Sequence, residues 1–101
     1  MSRIVWTLQA VEDVEAIRDY IARDSPRYGK LVAERIVASV ERLAEFPESG
    51  RVVPELQQES LREVLNGSYR IVYRLAGSDV QVLTVFHGFR LLRLPDDPSG
   101  S

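Results

Sequence analysis

The sequence predicts an α+β domain in the order β-α-α-β-β-β: an N-terminal strand, an α-helical hairpin and a three-stranded antiparallel meander, with the helices packed on one sheet face. Three observations predict it. From Leu61 to Arg90, runs of alternating polarity are broken by two turn signals, Asn66-Gly67 and Ala76-Gly77-Ser78-Asp79. From Leu8 to Phe46, apolar residues recur at helical spacing. Between the two helical stretches, Asp24-Ser25-Pro26 leaves a connection so short that the helices must run antiparallel.

Arg3 to Thr7 is a short apolar run and reads as the first strand. Thr7 can cap a helix from Leu8, and Glu12 with Asp13 suit the positive end of its dipole. Ala10, Val14, Ile17 and Ile21 form its apolar stripe, flanked by Val11 and Tyr20. Ser25 then caps a second helix with Pro26 at its first position, and Val32, Ile36, Val40 and Leu43 share one face. Phe46-Pro47 stops that helix. Pro47 to Ser60 shows no sustained period and is long for a connection, with Arg51-Val52-Val53 as a possible short element. In the meander, Leu61, Glu63 and Leu65 alternate with Arg62 and Val64. Tyr69, Ile71, Tyr73 and Leu75 share one face of the next strand, and Arg70, Val72 and Arg74 the other. Val80 to Phe86 is the last strand. The face without helices is the candidate working surface.

With 101 residues the chain holds one domain, expected over residues 1–94, and the polar segment 95–101 is expected to fray. It has no cysteine and a single histidine, His87, which excludes thiolate metal sites and disfavours a histidine zinc site; no cofactor is expected. No apolar run is long enough to span a bilayer and no signal-like segment opens the chain, so the expectation is a cytoplasmic protein. Net charge is −2 with a pI near 5.4. A protein that grips nucleic acid through phosphates usually carries a basic excess, so the average opposes that class. The distribution is uneven: Arg62, Arg70, Arg74, Arg90 and Arg93 outnumber Glu63 and Asp79 in the sheet half, while the helices are acidic on balance. Such polarity suits an acidic protein partner at least as well as RNA.

Several stretches in this order resemble the RelE/ParE toxin superfamily of type II toxin–antitoxin systems. They are Trp6-Thr7 with Ala10 and Asp13, then Ile17 to Ala22 (IRDYIA), Asp24-Ser25-Pro26 and Leu43 to Pro54 (LAEFPESGRVVP). Leu61-Arg62-Glu63, Tyr69 to Tyr73 (YRIVY) and His87-Gly88-Phe89-Arg90 complete the set. The resemblance spans about Ile4 to Leu92 and is closest to the ParE branch. It implies a toxin that poisons DNA gyrase and is silenced by a ParD-like antitoxin, which alone would contact DNA. RelE-branch relatives are instead ribonucleases that cut messenger RNA on the ribosome, and the fold does not separate the two activities.

Metal-free RNA cleavage needs a base, an acid and a cation on the transition-state phosphate. Arg70 matches the arginine that ribonuclease members place on the phosphate; its structural alternative is solubility or a pair with Glu63 across the hairpin. His87 is the residue type for an acid or base near pH 7, and its structural alternative, the commoner one for a lone histidine at a strand end, is a hydrogen-bonded edge residue. Glu55 stands where the YoeB-like subgroup puts a carboxylate base; its structural alternative, the favoured one in a polar loop, is a solvated carboxylate. RelE-type enzymes also draw on lysines before the sheet and a late tyrosine. Here Lys30 is the only lysine and no tyrosine follows Tyr73. The expectation is therefore a gyrase-binding toxin without a catalytic centre, with Arg51, Arg62, Arg70, Arg74, His87 and Arg90 contacting target or antitoxin. A ribonuclease using Arg70, His87 and Glu55 is the alternative.

Overall fold

A computed structural model describes residues 1–88. Strand β1 (Arg3–Trp6) leads into helix α1 (Leu8–Ala22) and helix α2 (Pro26–Glu41), which tightens into a 3-10 turn over Arg42–Ala44. Strands β2 (Arg51–Val52), β3 (Leu61–Asn66), β4 (Tyr69–Ala76) and β5 (Asp79–His87) follow. The five strands form one sheet in the order β1-β5-β4-β3-β2. The meander β3-β4-β5 is antiparallel as expected, but β1 lies parallel to β5, with Ile4 opposite Val80 and Trp6 opposite Val82. The sheet is therefore mixed, because the tight hairpins fix the direction of the meander alone and β1 docks along its free edge. The suspected element at Arg51 is real: β2 pairs with β3 and closes the far edge.

Both helices start where their caps stand. The Thr7 hydroxyl accepts from the Ala10 amide at 3.1 Å, and Ser25 Oγ accepts from Tyr28 at 3.2 Å, so each satisfies an amide that the first helical turn leaves open. Thr7 also donates to the Val82 carbonyl, which ties the start of α1 to the end of the β1–β5 ladder. Asp13 does more than balance the helix dipole. It accepts from Thr84 Oγ1 at 2.6 Å and from the Val85 amide at 3.0 Å. That amide lies beyond the last β1 residue, where β5 has lost its ladder partner, and a register shift between Val72 and Tyr73 marks the same stretch of β4–β5. The helices meet closely at Gly29, where a Cβ would stand 2.6 Å from the Arg18 carbonyl oxygen.

The two hairpins turn on Gly67-Ser68 and Gly77-Ser78. Each has a positive φ at its glycine, 57° and 61°, the first central position, as a II′-type turn requires. Asn66 is thus the last strand residue, not a turn centre, and its side-chain amide donates to Ser39 Oγ on α2 at 2.7 Å. The main core lies between helices and sheet, where Ala10, Val32, Ile36 and Val40 meet Ile71, Val82 and Val85. The opposite face is not bare, contrary to the reading of one uncovered surface. Residues 53–60 fold back across it, and Val53 and Leu56 pack with Leu61, Val72, Leu83 and Phe86 in a second apolar cluster. Among the described residues no helix is long and apolar enough to cross a membrane. The expected domain end near Leu94, the 95–101 tail and Arg90 lie outside the described residues.

Candidate functional site

The face beneath residues 53–60 carries the charge cluster of the molecule. Strand alternation and the β3–β4–β5 register place Glu63, Arg70 and Phe86 side by side on it, since Leu65 pairs with Arg70 and Arg70 with Phe86. The Arg70 guanidinium lies 5.2 Å from the centre of the Phe86 ring and donates from Nε to Glu63 at 2.9 Å. Its outer nitrogens grip Glu55 in a fork, at 2.7 and 2.8 Å. Glu63 in turn accepts from Arg51 Nε at 2.6 Å. The four charges form a chain, Arg51–Glu63–Arg70–Glu55, that is neutral as a whole.

Burial grades this chain. The Glu63 side chain is 0% exposed, Arg70 8%, Glu55 22% and Arg51 59%. The burial of this carboxylate is offset by the two guanidiniums that flank it. The Arg70 guanidinium is pushed above its ordinary range, first by its hydrogen bonds to Glu55 and against the pull of burial, so it stays charged at any working pH. Beside it opens a cleft of about 520 Å³, walled by Arg51, Glu55 and Arg70 and by the side-chain-poor positions Gly67, Ser68 and Gly88.

The expected site residues fall into separate places. Arg51, Glu55 and Arg70 come together in the cleft. The pairing of Arg70 with Glu63, one of the two structural alternatives for it, is present in full. Arg62 is occupied with main chain, donating to the carbonyls of Glu48, Gly50 and Glu59 at 3.0–3.2 Å, and so pins both ends of the 48–59 segment. Arg74 is exposed. His87 pairs with Tyr69 in register and meets its ring edge to face at 5.9 Å. Tyr69 packs against the helix-side core, so His87 lies on the face opposite Arg70. The trio Arg70, Glu55 and His87 is therefore not one constellation.

Sequence reasoning passed over two residues that shape the site. Tyr73 is fully buried; its hydroxyl donates to the Pro47 carbonyl at 2.7 Å and accepts from the Gly50 amide at 3.0 Å, anchoring the approach to β2. Burial pushes its phenol pKa up. Gly50 fits against it because a Cβ there would stand 2.5 Å from that hydroxyl. The usable signal was a tyrosine on the core face of a central strand, which needs a partner for its hydroxyl. Phe86 was visible only as a strand residue, and its contact with Arg70 follows from register.

Comparison with known proteins sets this geometry in a family. Residues 4–92 match the family model for the ParE toxin of type II toxin–antitoxin systems, parDE. The chain is 39% identical over 92 residues to Toxin RelE2 of Caulobacter vibrioides, covering 90% of this chain and all of that protein. It is 40% identical over 87 residues to Putative toxin Y4kP of Sinorhizobium fredii, covering 84% and 86%. In fold it is similar to the solved chromosomal ParDE toxin–antitoxin system of P. aeruginosa, with a TM-score of 0.72 at 23% identity over 86% of this chain and 96% of that one. A chain of the RelBE2 complex of Mycobacterium tuberculosis gives a TM-score of 0.55 at 20% identity, covering 85% and 96%. A match over nearly the whole length makes this chain a member of the ParE toxin family of type II toxin–antitoxin systems.

Proposed function

We propose that this chain is a ParE-like toxin that poisons DNA gyrase by binding it, and that a ParD-like antitoxin silences it by direct contact. The state of Arg70 carries this reading. A nuclease would need that guanidinium turned toward a phosphate, with acid and base beside it. Here Glu55 and Glu63 occupy it, and His87 projects from the other face. A surface of exposed arginines around an internally satisfied cluster suits protein recognition instead. Arg51, Arg62, Arg74, His87 and Arg90 are its proposed contact residues together with Arg70. No cofactor enters this activity, and the toxin acts in the cytoplasm.

The antitoxin is proposed to lay an amphipathic segment on the helix pair and along β5 beyond Val82, where β1 no longer pairs with it. Purified toxin should inhibit gyrase supercoiling or trap cleaved DNA. Absence of both effects at high molar excess removes the gyrase reading. The name of the Caulobacter relative, Toxin RelE2, supports a second reading, a ribosome-dependent ribonuclease centred on Arg70 with Glu55 as its base. Primer extension on translated messages after induction would then reveal cuts at codon positions, and Arg70→Ala would abolish them.

A further inference from the structure

We propose that the cleft beside Arg70 is a receiving site for a carboxylate of a protein partner, and that Glu55 fills it in the free chain as an exchangeable internal stand-in. The proposal rests on the protein-binding reading above, but its test involves neither gyrase nor ribosomes, so the two fail separately.

Charge balance at Arg70 calls for an anion beyond Glu63, which Glu55 supplies in the free chain. Arg51, Glu63 and Arg70 alone carry one excess positive charge around a side chain that is 0% exposed, and a guanidinium so deeply placed needs a second anion. Glu63 cannot leave, because it sits within the β3 ladder between β2 and β4. Glu55 can. It belongs to the irregular return over residues 53–60, which is tied to the sheet at its ends through Val53 and Ser60, while its middle carries turn bonds such as Gln57 to the Val53 carbonyl, with Gln57 at a φ of 52°. Its bonds to Arg70 are the fork that any aspartate, glutamate or C-terminal carboxylate makes with arginine. The adjoining cleft, about 520 Å³, stays open with Glu55 in its wall. Leu65, 58% exposed, and Pro54 give its wall an apolar strip. Gly67, where an added Cβ would meet nothing within 4 Å, leaves room for the main chain of an incoming segment. An apolar residue followed by an acidic one is the pattern this wall and this guanidinium would accept together.

Nuclear magnetic resonance titration of the full chain with the blocked pentapeptide Gly-Leu-Glu-Leu-Gly tests this, with the Gln version as control. Removing the internal competitor removes its tax on apparent affinity. Glu55→Gln should therefore bind the Glu peptide about tenfold tighter than the parent chain, with the largest shifts at Arg70 and Phe86. The Gln peptide should gain nothing, and Lys30→Gln, an exposed change on α2, should match the parent. If Glu55→Gln fails to fold, Glu55→Asp takes its place, since a shorter carboxylate loosens the fork while keeping the charge, and a smaller gain is expected. Equal peptide affinity in the variant and the parent overturns the proposal. So does a variant that gains affinity for a short RNA oligonucleotide but not for the peptide, which would make the site a phosphate site.

Discussion

The two faces of the sheet are covered in opposite ways. On the helix side, α1 and α2 bury an apolar layer in which Ile36, Val40, Ile71 and Val82 are all fully inaccessible. On the other side a short irregular segment covers a smaller apolar cluster, and beside it lies an ion chain with Glu63 at its buried centre. The helix side gains stability with each apolar group it removes from water. The loop side is balanced: each buried charge is tolerable only while its neighbours remain. A fold built this way draws its stability from the helix face and is most easily unsettled on the charged one.

The largest effect should come from unbalancing the charged side. Glu63→Gln leaves Arg51 and Arg70 facing a neutral amide, at a cost of about 3 kcal/mol or more. Guanidinium chloride unfolding reads this as a lowered midpoint; an unchanged midpoint would mean the cluster contributes nothing. The helix side should break by sterics instead. Gly29→Ala would normally add helix stability of about 1 kcal/mol. Here its Cβ meets the Arg18 carbonyl at 2.6 Å, so the change should cost about 1–3 kcal/mol as the hairpin opens. A stabilised Gly29→Ala would show that the helices can part freely.

The helix side was nearly all legible in the sequence. Helical spacing named Ala10, Val32, Ile36 and Val40, and Thr7 and Ser25 marked the helix starts, because those signals are local. The loop side was legible only in parts. Arg70 and Glu55 stood out as residue types, yet their mutual fork depends on residues 53–60 folding back, which no periodic pattern announces. The parallel docking of β1, the turn centred on Gly67-Ser68 instead of Asn66-Gly67, and the face of His87 are likewise matters of register. A shift of one residue reverses a strand's face, so alternation alone could not decide them.

Tyr73 joins the two sides, standing in a strand of the helix-side core while holding the approach to β2. Tyr73→Phe removes two hydrogen bonds and leaves the Gly50 amide without that acceptor, a loss of about 1–2 kcal/mol at neutral pH. The folded protein raises this phenol's pKa above that of the unfolded chain, so the folded state holds the proton more tightly. That contribution is complete below about pH 10 and drains away as pH rises through the folded value. The parent and Tyr73→Phe should therefore converge in stability above pH 10; a gap constant with pH would separate the phenol from the fold's alkaline limit.

The smallest effect on folding should fall at Arg74, exposed on β4 and paired in register with Leu61. Arg74→Gln should change stability by no more than about 0.5 kcal/mol, since the side chain is solvated. Its effect should appear in binding. If the arginine-bearing face meets an acidic antitoxin segment, Arg74→Glu should weaken the complex and lower its association rate most at low salt, where charge steering is strongest. Stopped-flow association with antitoxin at two ionic strengths separates the cases. A rate that falls at low salt and converges with the parent at high salt places Arg74 in the steering field. A rate equal to the parent's at both would leave the loop side to the buried chain and its cleft, and move antitoxin recognition to the helices.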